Sequence, residues 1–152
     1  MPRYYTLDTE TGEPVPVNDV LVWAQAFETE NRVVLQEYAA RRVLVSTVFL
    51  GLDHGHWFFD GRPHDPVLWE TMIFGGPFDG FQDRYSSRLD ALRGHALAVA
   101  LVEAYRATPR KTKCALQKWG AAFDTYPLRP DERRRLHRAL TRIGWRTDRE
   151  AI

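Results

Sequence analysis

Apolar and polar positions change period along the chain in a way that separates strands from helices. Tyr4, Tyr5 and Leu7 precede the turn-prone Asp8-Thr9-Glu10-Thr11-Gly12, and Val15 and Val17 follow, spaced by Pro14 and Pro16. Proline cannot donate to a central ladder, so this segment is expected as an edge β-hairpin or extended pair. Asn18 is placed to cap a helix in which Val20, Trp23, Ala24 and Phe27 recur at i, i+3, i+4 and i+7. That spacing makes one helical face, expected to pack on the sheet.

Val33 to Tyr38 and Val43 to Leu50 are strand-like runs joined by Ala39-Ala40-Arg41-Arg42, a link too short for a parallel crossover, so they should pair antiparallel. The second run is apolar on both faces and reads as a central strand. Gly51 to Pro66 is a loop rich in Gly, Asp, His and Pro, with Trp57, Phe58 and Phe59 as its apolar segment, and Val67 to Phe74 is the next strand, halted by Gly75-Gly76-Pro77. Ser87-Arg88-Leu89-Asp90 has capping-box spacing and opens a helix with Leu92, Ala96, Val99 and Val102 on one stripe. It should run to about Arg106, because Thr108-Pro109 breaks it. Two further helical patterns follow, one with Leu116, Trp119 and Phe123, the other with Leu136, Ala139, Leu140 and Ile143.

The expected architecture is therefore α+β: a small antiparallel sheet packed with an N-terminal helix and a long helix over residues 1–106, then a helical extension over 107–152. Charge sharpens this division. The net charge of +1 hides 8 basic and 15 acidic side chains in residues 1–103, a net of −7, against 13 and 5 in residues 104–152, a net of +8. Such a split indicates a basic face for an anionic partner or two halves that attract each other. A single cysteine, Cys114, excludes an internal disulfide, and Met1-Pro2-Arg3-Tyr4 lacks an apolar signal core. No run approaches the ~18 apolar residues of a membrane span. A cytoplasmic location without membrane contact is the expectation.

Several groups could carry chemistry. Asp53-His54-Gly55-His56 leaves a central strand for a loop, where ligand groups are often displayed; the alternative is that Asp53 caps a turn. Glu70 shares a strand face with Leu68, Met72 and Phe74, so its carboxylate needs a partner: an ion pair with Arg84, a ligand, or a catalytic role. Arg84 and Tyr85 directly precede the capped helix, a setting suited to a phosphate; Arg84 could instead pair with Asp79 or Asp83. His95 lies on or beside the sheet-facing stripe of that helix, as a ligand group or a satisfied core histidine, and Gly94 beside it permits close approach of a neighbouring backbone. In the extension, Arg134, Arg135, Arg138 and Arg142 lie opposite Leu136, Ala139, Leu140 and Ile143, a basic face for nucleic acid or an acidic protein surface, or a solvated one. No phosphate-binding glycine loop, nucleophile elbow or dinucleotide fingerprint is present.

Arg3-Tyr4-Tyr5-Thr6-Leu7-Asp8 with Glu13-Pro14-Val15-Pro16-Val17, then Trp23-Ala24 with Phe27-Glu28, and Val45-Ser46-Thr47-Val48-Phe49-Leu50-Gly51-Leu52-Asp53-His54 stand together in this chain. Leu68, Glu70-Thr71-Met72-Ile73-Phe74-Gly75-Gly76-Pro77, Asp83-Arg84-Tyr85-Ser86, and Ala91 with Gly94-His95 continue the set. Over roughly residues 3–102 the chain resembles an uncharacterised group of small proteins from phages and prophages of actinobacteria and their relatives. The resemblance implies a phage setting and supplies no reaction. The chain departs from the pattern in Trp57-Phe58-Phe59 and in its basic extension.

The leading expectation is a non-catalytic phage accessory protein without a cofactor or resident metal. It would bind a small anionic ligand through Asp53, His54, Glu70, Arg84, Tyr85 and His95, a nucleotide signal of host anti-phage defence being one candidate. A second expectation is an inhibitor that grips a host defence component or nucleic acid through its basic extension. A third is metal-assisted hydrolysis by Asp53, His54, His56 and Glu70. Because the long helix covers one face of the sheet only, a homodimer is expected over a monomer with its extension folded back.

Overall fold

The computed structural model describes residues 3–55 and 64–107, together with positions 134, 138 and 141, which are helical. The chain opens as a hairpin in which β1 (Tyr4–Leu7) pairs antiparallel with β2 (Pro14–Val17). Asp8 builds its turn: Oδ1 accepts from the backbone N–H of Glu10 and Thr11 at 3.0 and 2.8 Å and from the Thr11 hydroxyl at 2.9 Å, satisfying donors that the reversal leaves without strand partners. Helix α1 (Val20–Thr29) follows. Its cap is Asp19, not Asn18, since the Asp19 carboxylate accepts from Leu21 N at 2.8 Å.

The expected packing of α1 on the main sheet gives way to packing on the hairpin. Tyr4, Trp23 and Phe27 form a series of tilted rings with centroids 5.0 and 4.9 Å apart, and Trp23 Nε1 donates to the Gly51 carbonyl at 2.7 Å. No residue of α1 is buried. The aromatic pair meant for a core meets Tyr4 first, close in sequence, and the helix stays at the edge of the molecule.

The main sheet is an antiparallel meander of β3 (Val33–Ala40), β4 (Val43–Phe49), β5 (Trp69–Phe74) and β6 (Gln82–Tyr85), in that spatial order. β4 is an inner strand, as its apolar run requires. The β3–β4 reversal uses Arg41-Arg42, with Arg42 at φ 64°. β6 was not legible as a strand, because Gln82-Asp83-Arg84-Tyr85 has no apolar run. It forms because the chain turns back through Gly75 and Gly76, at φ 81° and 74°, and through a short 3-10 turn at Gly76–Phe78. Phe78 and Phe81 are buried in the core and so bring the polar tetrapeptide alongside β5. Residues 51–53 tie the hairpin to this sheet: Tyr5 N donates to Gly51 O at 2.8 Å and Asp53 N to Arg3 O at 2.9 Å.

Helix α2 (Arg88–Ala107) packs across all four strands. Ser87 starts it, accepting from Asp90 N at 3.1 Å and donating to the Asp90 carboxylate at 2.8 Å. Its buried face carries Ala91, Gly94, His95, Ala98, Leu101 and, from the expected stripe, Val99 and Val102, whereas Leu92 and Ala96 are only half-buried. The contact face is turned relative to the expected stripe, because small side chains let the helix approach the sheet more closely than Leu92 would. Gly94 admits a side chain, not a backbone: the Tyr85 ring lies against it, and a Cβ there would overlap the phenol. Beneath α2 lie Val45, Phe49, Leu68, Trp69 and Ile73, each contributing roughly 1.5–3 kcal/mol by leaving water.

Pleating divides the sheet. Val45, Thr47 and Phe49 of β4, Trp69, Thr71 and Ile73 of β5, and Asp83 and Tyr85 of β6 are buried on the α2 side. Leu44, Ser46 and Val48, then Glu70, Met72 and Phe74, then Gln82 and Arg84 take the other side, which neither α1 nor α2 covers. Tyr38 and Phe74 are 73% and 45% exposed there. Among the described residues no helix is long and apolar enough to cross a membrane. The further helices with Leu116, Trp119, Phe123, Leu136, Leu140 and Ile143 lie outside the described residues.

Gly94→Ala is expected to lower stability by about 1–3 kcal/mol, the overlap with Tyr85 outweighing a helix-propensity gain of about 1 kcal/mol. Urea unfolding of this variant beside the surface control Arg93→Ala checks it; equal midpoints would show that α2 and β6 are not held at contact distance.

Candidate functional site

Cross-strand register assembles the open face in rows. Val48 stands opposite Glu70 and Glu70 opposite Arg84; Ser46, Met72 and Gln82 form the next row, with Gln36 outside Ser46; Tyr38, Leu44 and Phe74 form the last. Glu70 is 7% exposed and is met by two donors from β6: Arg84 Nε at 2.7 Å and the Gln82 side-chain amide. The partner that a carboxylate in this position demands is thus its direct cross-strand neighbour, Arg84. Asp79 accepts from Gly75 N at 2.6 Å within the turn before β6, and Asp83 accepts from Arg84 N at 2.9 Å within the strand.

His54, half-buried, stands at the same end of the face. Burial pushes its pKa below the ordinary value, and Arg84 and Arg3 push the same way, while Glu70 and Asp53 oppose them. An imidazole, two guanidinium groups and two carboxylates therefore share one electrostatic neighbourhood. Asp53 itself is committed to the loop: Oδ1 accepts from Gly55 N at 2.8 Å and Val67 N at 2.9 Å, and Oδ2 lies 3.0 Å from His64 Nε2. This is the turn-capping alternative for Asp53, and His64, which the sequence offered as a possible addition to a metal group at Asp53, meets it as a side-chain partner.

The six residues expected around one ligand fall into three places. Glu70 and Arg84 share the open face, and His54 lies within range of their charges. Asp53 closes the loop beside them. Tyr85 and His95 are buried on the α2 side, 4% and 1% exposed, because neighbouring strand residues point to opposite faces and the sheet stands between. Of the metal set, His56 lies outside the described residues, and among the described residues no three His, Cys, Asp or Glu side chains are gathered to hold a metal. Of the basic face on the extension, Arg134 and Arg138 are helical and exposed, and Arg135 and Arg142 lie outside the described residues.

His95 joins a second polar group that the sequence did not announce. Its Nδ1 lies 2.8 Å from Thr47 Oγ1, which lies 2.7 Å from Thr71 Oγ1. Thr47 and Thr71 are directly opposed on β4 and β5. The donors balance when the Thr71 hydroxyl donates to Thr47, Thr47 to Nδ1, and Nε2 keeps the proton. Nε2 then faces Glu37 Oε1 at 3.4 Å, a long contact to a carboxylate. Burial dominates and holds the His95 pKa below its ordinary value, with Glu37 opposing. Two threonines inside apolar runs were the available signal; their meeting depended on register.

A histidine kept neutral by folding binds fewer protons in the native than in the unfolded chain. Its stabilisation is complete above the unfolded pKa of about 6.5 and declines as pH falls from there through the lower native value. His54 acts in the same direction. Urea titrations between about pH 8 and pH 5 should show stability falling on acidification, and His95→Gln should flatten that slope while His54→Gln flattens it separately. An unchanged slope in His95→Gln would remove His95 from the acid response.

Compared with protein-family models, curated proteins and solved structures, the chain gives no match, so the site's chemistry rests on its own geometry.

Proposed function

We propose that this chain is a non-catalytic binding protein whose ligand, a small anion of the nucleotide class, lies on the open face of the main sheet. The observation that carries this reading is the uneven covering of the sheet. α2 occupies one face, and the other presents exposed Tyr38 and Phe74 at one end and the His54, Glu70, Arg84 and Gln82 group at the other. Four residues of strand separate the two ends, about 13 Å, a span comparable with a nucleotide from base to phosphate. An aromatic ring accepts a base by stacking, and an arginine and an imidazole suit a phosphate. Gln36 and Ser46, hydrogen-bonded at 3.0 Å between the rows, offer amide and hydroxyl groups for orientation. With the resemblance to phage proteins, this favours an accessory role in the infected bacterial cell, a nucleotide signal of host anti-phage defence being the ligand to test first.

A second reading has its own support: Arg134 and Arg138, one helical turn apart, are both exposed, which favours an acidic protein surface or nucleic acid as partner for the extension. Calorimetric titration of the full chain with nucleotides and cyclic nucleotides, beside inorganic phosphate, tests the first reading. At least one nucleotide should bind, and Tyr38→Ala, an exposed position, should weaken it by roughly tenfold, the size of one lost stacking contact. No heat with any nucleotide would overturn it. For the second reading, Arg134→Ser with Arg138→Ser should reduce the salt-dependent retention of the full chain on duplex DNA or a polyglutamate matrix by a factor of several; retention unchanged on both would reject it.

A further inference from the structure

Among the described residues, the outer edge of β3 is the longest strand edge of the main sheet that no other strand pairs, and it carries few of the residues that block strand addition. Edge strands are commonly blunted by lysine, proline or outward charge. β3 reads Val-Val-Leu-Gln-Glu-Tyr-Ala-Ala, without lysine or proline, and its exposed apolar residues are Val33, Leu35 and Tyr38. The single charge, Glu37, is drawn under the sheet toward His95 at 3.4 Å. The opposite edge, β6, is half as long and leads at once into the cap of α2.

We propose that β3 pairs antiparallel with β3 of a second copy about a twofold axis normal to the sheet, making one eight-stranded sheet. The flanks of the strand favour a second copy. Glu28 and Glu30 lie before β3 and Arg41 and Arg42 after it, so antiparallel self-pairing brings acidic and basic ends together twice, whereas a parallel partner of the same sequence would align like with like. Register follows from the faces. Directly opposed residues share a face, Leu35 and Glu37 both lie on the α2 side through their pairing with Thr47 and Val45, and the ladder is regular only between the irregularities at Val33/Leu35 and Tyr38/Ala40. An axis at Glu37 would set the two Glu37 carboxylates against each other. An axis at Gln36 instead sets Leu35 against Glu37 of the other copy and brings the acidic end of each strand toward the Arg41-Arg42 end of the other. The α2 layers then lie on one side of the joined sheet and the two open faces on the other.

The register makes the test specific in sign. Sedimentation of the full chain over a range of about 10–500 µM, suited to a small weak interface, should show a monomer–dimer equilibrium. Leu35→Glu, facing Glu37 twice, should weaken it by roughly tenfold, the size of two like-charged cross-strand pairs, whereas Leu35→Lys should leave it equal or tighter. Should Leu35→Glu fail to fold, Gln36→Cys in a Cys114→Ser background gives an independent reading. Mild oxidation should link two copies through position 36, and not through a Val48→Cys control on the inner strand. A wild-type chain monomeric throughout the range, equal dissociation of both Leu35 variants, or oxidation without linkage at position 36 would each overturn the proposal. Neither Leu35 nor the sedimentation readout involves the proposed ligand face, so failure of one idea leaves the other standing.

Discussion

The close seating of α2 on the sheet is the constraint on which the rest of the structure depends. Ala91, Gly94 and Ala98 present little side-chain volume, so the helix descends until Gly94 meets the Tyr85 ring. At that distance His95 is enclosed, and its ring must find its hydrogen bonds among the strands. It does so in Thr47, and Thr47 in Thr71, which links the helix to β4 and β5 through polar contacts inside an otherwise apolar layer. A buried polar group without a partner costs about 1–3 kcal/mol, so this chain of contacts also restricts how the strands may slide.

The same pleat that supplies α2 with Thr47, Thr71 and Tyr85 places Glu70, Arg84 and Gln82 beyond its reach. Glu70 is nearly as enclosed as the residues under the helix, and its side chain is met by a guanidinium and an amide from the neighbouring strand, so the cost of burying it is offset across the strand pair. Removing one partner of such a pair costs far more than the pair itself contributes.

The hairpin and α1 form a separate layer of logic. Tyr4, Trp23 and Phe27 satisfy one another locally, and Tyr5 on the alternate face of β1 joins Phe49, Trp69 and Tyr85 in the core. The hairpin is therefore fastened through Tyr5 and the backbone at Gly51 and Asp53, while α1 rides on it without burying a residue. Among the described residues neither helix covers the second face of the sheet, since α1 packs on the hairpin.

By itself the sequence determined the α+β class, the opening hairpin, the central place of Val43–Phe49 and the capped start of α2. These depend on period, turn residues and caps, all of which act over a few residues. It also determined that Glu70 requires a partner and offered Arg84 as one choice. Only the tertiary structure decided that choice, because cross-strand register is a relation between residues far apart in the chain. β6 carries no apolar pattern and exists because Phe78 and Phe81 are drawn into the core. Likewise, Tyr85 and His95 were separable from Arg84 and Glu70 only once the sheet lay between them: adjacent in sequence, residues 84 and 85 belong to opposite faces, and which face met α2 was set by where its small residues could come closest.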